Sequence, residues 1–447
     1  MPIRSSLATA LILAFGSGGS GAAQELAPLP ASEARNLRKA FAEALAEPGG
    51  KGVRKLSSLA GKLEAKYALA DLLAALREGP ELAPTASKPR KVGRKKEELR
   101  EFGSTVVGYL FESGGNLYRY AVDLPEGYDP ERAWPLLLDP GHGGGKDLDD
   151  KGKADFVPFF RGHARSAGLD CIVARTEIIE QVGTGGVRGA LPEDEVARAL
   201  IDCVADIAGR FRLDPDRVYA AGLSQTGYWA WYLGRARPDR WAGLAPMSAV
   251  TWQVDRYLEN LVGIPVFVLH GDADPTCPVE QPRRTCARLE ELGGSVRYVE
   301  IPGAGHDVGV WKRLGEGLGW LSEKERARYP KTIAAALSTT RVPWYWWVRV
   351  DELEREAEGL DKSAPSGRLE ATVEGQQVRL RTEGVRRLTL CLASELLDLD
   401  QPVEVEWNGK KVHSARVPRS FERTAELALE KADWSALYEA ALELRAR

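Results

Sequence analysis

Between residues 134 and 307 short apolar runs and amphipathic stretches take turns along the chain, an alternation that few folds accommodate. WPLLLDPGHGGG (134–145) is continuously apolar and then breaks into glycines, as a strand buried on both faces does. A helical stretch, DFVPFFRGHARSAG, leads to the strand-like DCIVART, and the next helix carries Val196, Leu200, Val204, Ile207 and Phe211 on one face. RVYAAG, WAGLAPMSA, IPVFVLHGD and SVRYVEI continue the series, with the helix PRRTCARLEELG before the last. Strands alternating with helices predict an α/β fold with a mostly parallel sheet covered on both faces.

The flanks have a different grain. STVVGYLFE and LYRYAVDL alternate like strands around the turn residues Ser113-Gly114-Gly115-Asn116, an antiparallel lead-in to the sheet. Residues 31–79 are helical in pattern, with Leu56, Leu59, Leu63 and Tyr67 forming one stripe, whereas PELAPTASKPRKVGRKKEE (80–98) reads as a basic, solvated linker. After His306 a long helical region is expected. From about Val342 alternation returns at Leu369, Ala371 and Val373, at Leu388, Leu390 and Leu392, and at Val403, Val405 and Trp407, followed by the hairpin signal Asn408-Gly409. The expected segments are a leader (1–23), a small helical segment with its linker (24–100), the α/β unit (101–341) and a mostly β module with a helical tail (342–447).

The leader reads as an export signal: Arg4, then the apolar Leu7–Phe15, then Gly21-Ala22-Ala23 before Gln24. That apolar run is too short for a stable membrane span, and no other stretch is apolar for long enough, so no stable membrane insertion is expected. With 61 basic against 64 acidic residues, no overall field favours nucleic acid. Of five cysteines, Cys171 and Cys203 look like small core residues, while Cys277 and Cys286 are close enough in sequence to leave a disulfide open in an exported protein.

Chemistry concentrates at AAGLSQTGYWAW (220–231). Ser224 ends a buried strand and opens an amphipathic helix, the setting of a sharp turn that holds a nucleophile out of a sheet. Gly222 supplies the small neighbour such a turn needs; the second glycine falls at Gly227 rather than at Thr226. A serine hydroxyl needs a base, and the base an orienting carboxylate. Of the five histidines, His142 lies in a glycine loop, His163 in a helical stretch, His270 at a strand end and His413 in the C-terminal hairpin. His306, in IPGAGHD, follows the last strand of the α/β unit and is the expected base. HGDADPTCPV offers two carboxylates, of which Asp274, deeper in the loop before Pro275, is the expected partner; Asp272 is expected to bond loop backbone.

GLSQTG, HGDADPTCPV and GAGHD, in that order, resemble the α/β-hydrolase superfamily, and YRYAVDLPEGYDPERAWPLLLDPGHGGG resembles the start of its secreted esterase branch, related to feruloyl esterases, polyhydroxyalkanoate depolymerases and the prolyl-oligopeptidase catalytic domain. The resemblance covers roughly residues 104–335. It implies an oxyanion hole built from the Gln225 amide and the loop at His142 and Gly143, and no metal or organic cofactor. Only TWQVDRYLENLVG separates two strands where caps are usually inserted, so an open site suited to small-molecule or polymer-linked esters is expected. A serine peptidase of prolyl-oligopeptidase type, or a non-catalytic binding protein on the same fold, are the alternatives. Trp344–Trp347 (WYWW) are expected at a domain seam; Trp229 is left open between core and substrate contact.

Overall fold

The structure is a computed structural model that describes residues 26–46, 50–83, 87–102, 105–141, 150–177, 193–252, 254–356 and 365–446. The proposed leader therefore lies outside the described residues. Three helices open it, α1 (Ala31–Ala46), α2 (Lys51–Glu64) and α3 (Leu69–Arg77), followed by a short ribbon of β1 (Lys91–Val92) and β2 (Lys95–Lys96). The stretch expected as a solvated linker is thus partly folded.

The central sheet contains β3 (Arg100–Phe102), β4 (Val106–Ser113), β5 (Asn116–Asp123), β6 (Trp134–Asp139), β7 (Ile172–Thr176), β8 (Leu213–Leu223), β9 (Gly243–Met247), β10 (Val266–Gly271) and β11 (Val296–Ile301). Their spatial order is β11-β10-β9-β8-β6-β7-β5-β4-β3. From β7 to β11 every pairing is parallel; β3, β4 and β5 add antiparallel partners at one side. The order reverses beside β6, so the crevice beyond the carboxyl ends of β6 and β8 is where such a sheet accepts a ligand.

Alternation along each strand sends side chains into two cores. Leu136, Leu138, Ala220 and Leu244 pack with α1 to α3, α5 (Glu193–Ala208) and α6 (Gln225–Ala236) on one face. Leu137, Tyr219, Ala245 and Phe267 pack with α4 (Asp150–Ser166) and α8 (Leu314–Ser322) on the other. Helix α7 (Glu280–Glu291) covers β11. After β11 the expected long helical region is only a 3-10 turn, Val308–Arg313, and α8.

The C-terminal module is two sheets over one core. One has the order β12 (Thr332–Leu337), β15 (Gly367–Glu374), β16 (Gln377–Glu383), β18 (Val403–Trp407), β19 (Lys410–Ala415); the other has β13 (Trp344–Tyr345), β14 (Val348–Leu353), β17 (Val385–Leu392), β20 (Ala440–Arg445). Pairing of β12 with β15 carries the module upstream of residue 342, and its tail, α9 (Phe421–Lys431), is followed by β20 rather than ending as a helix. Where a cap would be inserted, the short 248–265 connection docks this module: Asn260 donates to the Ala336 carbonyl at 3.0 Å and accepts from its amide at 2.7 Å.

The Trp344–Trp347 run does fill a seam. All four side chains are buried, and Trp346 lies against Gly263 of the α/β unit while its indole N–H donates to the Ala327 carbonyl at 3.0 Å. Trp229 is 1% exposed and Trp231 wholly buried, so both belong to the core rather than to a substrate surface. Among the described residues no helix is long and apolar enough to cross a membrane. All five cysteines are reduced and buried, so Cys277 and Cys286 form no disulfide.

Candidate active site

Strand β8 hands directly to α6 at Ser224, whose φ of 59° and ψ of −118° are rare for a residue with a side chain. Such strain persists only where the surroundings over-determine it. Here the Ser224 amide donates to the Met247 carbonyl of β9 at 2.8 Å, and the Thr226 hydroxyl accepts from the Leu223 amide at 2.8 Å. A Cβ at position 222 would stand 2.2 Å from the Thr226 hydroxyl oxygen and 2.5 Å from its carbonyl carbon; one at 227 would stand 2.8 Å from the Gly222 oxygen. Both glycines are required by the close approach of strand and helix. Threonine fits between them because its own hydroxyl ties the turn together, a role that its sequence position alone does not reveal.

The other two groups arrive on adjacent loops. Asp274 follows β10, and His306 follows β11. The Ala273 amide donates to the Ala304 carbonyl at 3.0 Å, and Asp272 accepts the Gly303 amide at 2.7 Å, joining the loops. His306 Nε2 lies 2.9 Å from Ser224 Oγ, and its Nδ1 lies 2.7 Å from Asp274 Oδ2. Side chains 50 and 32 residues apart in sequence thus form one hydrogen-bonded line above the carboxyl edge of the sheet. The carboxylate that meets His306 is Asp274 rather than Asp272, whose carboxylate is spent on the loop.

Asp274 Oδ1 accepts the amides of Thr276 and Cys277, each at 2.8 Å. Burial opposes its charge, but those two amides and the imidazole outweigh it and hold the carboxyl below the usual range. Behind it sits His270, wholly buried, with Nε2 2.8 Å from the Cys277 carbonyl and 3.7 Å from Asp274 Oδ2. A carbonyl only accepts, so Nε2 carries the proton, and burial keeps the ring below the usual imidazole value and neutral. His270 therefore braces the acid loop without contesting the carboxylate. Sequence reading placed it near the acid but missed this brace.

Asp274, Cys277 and His306 also bring possible ligand atoms within 4.8 Å of one another. The carboxylate and imidazole are already bonded to each other, and burial pushes the Cys277 thiol up to about 11, a poor donor set for an ion at neutral pH. Gln225 begins α6, with its backbone adjoining Ser224. His142 and Gly143 lie outside the described residues. The strand end that leads to them is firmly held: Asp139 accepts Arg175 at 2.8 Å and the Gly141 amide at 3.1 Å.

No family model matches the chain. A curated protein of Nocardia uniformis subsp. tsuyamanensis, described as "Putative esterase NocK", is 30% identical over 169 residues, which is 36% of this chain and 44% of that protein. "Acyl-protein thioesterase 1" of Neurospora crassa is 29% identical over 99 residues, 21% of this chain and 40% of that protein. The chain has the α/β-hydrolase fold. It spans less than half the length of these two curated relatives. A solved thermostable esterase is similar with a TM-score of 0.43 and 23% identity, over 50% of this chain and 64% of that one.

Proposed function

We propose that this α/β hydrolase is an exported enzyme that cleaves carboxylic esters through an acyl-enzyme on Ser224. The observation that carries the proposal is the unbroken line from the strained serine through His306 to Asp274, at 2.9 and 2.7 Å. His306 Nε2 takes the hydroxyl proton as Ser224 attacks the acyl carbonyl. Asp274 fixes the tautomer that leaves Nε2 free to do so and steadies the imidazolium that forms. The negative charge growing on the carbonyl oxygen is met by the Gln225 amide and by the loop at His142 and Gly143, where each donor is worth roughly 3 kcal/mol in the transition state. Collapse expels the alcohol, protonated by His306, and water repeats the sequence to release the acid.

The esterase and thioesterase names of the matched proteins agree with an acyl-transfer reading. The short connection after β9 leaves room for a bulky or polymer-linked alcohol. Export rests on Arg4, Leu7–Phe15 and Gly21-Ala22-Ala23, and predicts a secreted product beginning at Gln24.

The test is labelling with a fluorophosphonate alongside hydrolysis of p-nitrophenyl acetate and butyrate. Wild type is expected to label at Ser224 and turn over both esters, with Ser224→Ala losing about 10⁶-fold in kcat and Asp274→Asn about 10⁴-fold, while both variants melt like wild type. Label on another residue, or an active Ser224→Ala, overturns the proposal. Faster cleavage of peptide anilides than of esters would move the scissile bond to an amide.

A further inference from the structure

The basic segment that reads as a linker in the sequence is built into the rim of the sheet. Glu97, 2% exposed, fixes it there: its carboxylate accepts the Leu110 amide of β4 at 2.6 Å and the Arg210 guanidinium at 2.9 and 3.0 Å. Beside this anchor lies a cavity of about 310 Å³, lined by Lys95, Lys96, Arg100 and Arg119, with Glu98 and Glu177 also on its wall. Among the described residues none of the four cations has a carboxylate within ion-pair distance. A pinned ribbon and a sheet hold them together on one wall.

The register puts this cavity on the same rim as Ser224. Ala220 is level with Leu138, Leu138 with Ala174, and Ala174 with Val122 across β8, β6, β7 and β5. Ser224 stands four residues beyond Ala220, and Tyr118 four residues before Val122 in the antiparallel β5, so Arg119 sits at the height of the nucleophile. Three strand intervals separate β5 from β8, roughly 14 Å at the usual spacing.

We infer that the cavity is a subsite for the acidic chain to which the scissile ester is attached, and that the substrate is an esterified, carboxylate-bearing polysaccharide. This deepens the ester reading and rests on it. A volume near the lower end of ligand pockets suits one or two acidic sugar rings rather than a duplex or a bilayer, and a net charge of −3 gives no overall attraction to either. A polymer threaded along the rim would present a carboxylate to Lys95, Lys96, Arg100 and Arg119 while an ester a few residues along reaches Ser224.

Affinity electrophoresis of Ser224→Ala through polygalacturonate reads the subsite without catalysis. Retardation is expected, weakening as salt rises from 20 to 300 mM, and lost when Lys95→Gln, Lys96→Gln and Arg119→Gln are added. In the catalytically intact background the same triple variant should lose about tenfold or more in kcat/KM on acetylated polygalacturonate, mainly through KM, with p-nitrophenyl acetate hydrolysis within about twofold of wild type. No retardation by polygalacturonate, or equal retardation of the triple variant, overturns the subsite. Stronger binding to dextran sulfate, an oligonucleotide or anionic vesicles than to polygalacturonate overturns the assignment of the occupant. Binding of polygalacturonate by a protein that hydrolyses no ester would leave the subsite standing and overturn the ester reading instead.

Discussion

Gly222 and Thr226 face each other across the turn that holds Ser224, and they make opposite demands on substitution. A methyl group at 222 would press on the Thr226 backbone 2.5 Å away, which no rotamer change relieves. Gly222→Ala is therefore expected to cost about 1–3 kcal/mol and to relax the serine off its strained angles, with ester hydrolysis falling more steeply than the melting temperature. Thr226→Ala removes the hydroxyl brace but no close contact, so about 1 kcal/mol and a smaller loss of activity are expected. Paired thermal melts and kcat values check both; a Gly222→Ala enzyme with wild-type kcat would sink the argument. At this scale much was legible. Ser224 announced itself by its glycines, and His306 and Asp274 by following later strands in order. The amides of Thr276 and Cys277 and the His270 brace were not legible, because backbone donors leave no mark on side-chain type. Nor was the basic cluster at Lys95 and Lys96: its anchor, Glu97, meets Arg210 more than a hundred residues away.

The elements of the α/β unit follow from hydrophobic period, since each strand must bury two faces and each helix one. What period does not show is which distant element closes a helix end. Glu64, the last residue of α2, accepts the amides of Phe421 at 2.7 Å and Glu422 at 3.2 Å, so it caps α9 from the opposite end of the chain. The Ser57 hydroxyl on the same helix lies between two carboxylates, 2.5 Å from Glu422 and 2.9 Å from Glu426. A carboxylate at a helix N-terminus satisfies orphan amides and meets the positive end of the dipole. Glu64→Ala is expected to lower stability by about 1–2 kcal/mol and to speed amide exchange across Phe421–Lys431 before it does so in β8. Uniform exchange in both elements would show that the cap is not local. The N-terminal helices, which look separate in the sequence, share a core with Trp434, where Phe41 meets its ring edge-on at 6.3 Å.

At the scale of the molecule, the α/β unit and the β module are joined by buried charge as well as by tryptophans. Arg326 donates to Asp216 at 3.1 Å, to Asp433 at 2.8 Å and to the Asp239 carbonyl at 2.8 Å, while Lys431 pairs with Asp239 and Arg240 donates to the Ala432 carbonyl at 3.1 Å. Every one of these side chains is nearly sealed from water. Such a cluster gives little net stability as a whole, but losing one member strands the others without partners. Arg326→Met removes the guanidinium that Asp216 and Asp433 share, leaving Asp216 to Arg328 and Asp433 to the Ser435 and Ala436 amides, and is therefore expected to cost about 3 kcal/mol. The seam also sets the acid limit. Burial opposes charge on Asp239 and Asp433, but Arg237 and Lys431 beside the first, and Arg326 and Arg240 beside the second, hold both carboxyls below their usual range. A carboxyl depressed in the folded state stabilises fully above its unfolded value of about 3.9, and that contribution drains away as pH falls towards the folded value. Wild type should accordingly melt at a steady temperature from neutrality to about pH 5 and lose stability below about pH 4. Asp239→Asn should start lower and fall less steeply over the same interval, because one of the protons that drives acid unfolding has nowhere to bind. Parallel slopes for the two proteins between pH 5 and 3 would mean that the acid response originates outside the seam.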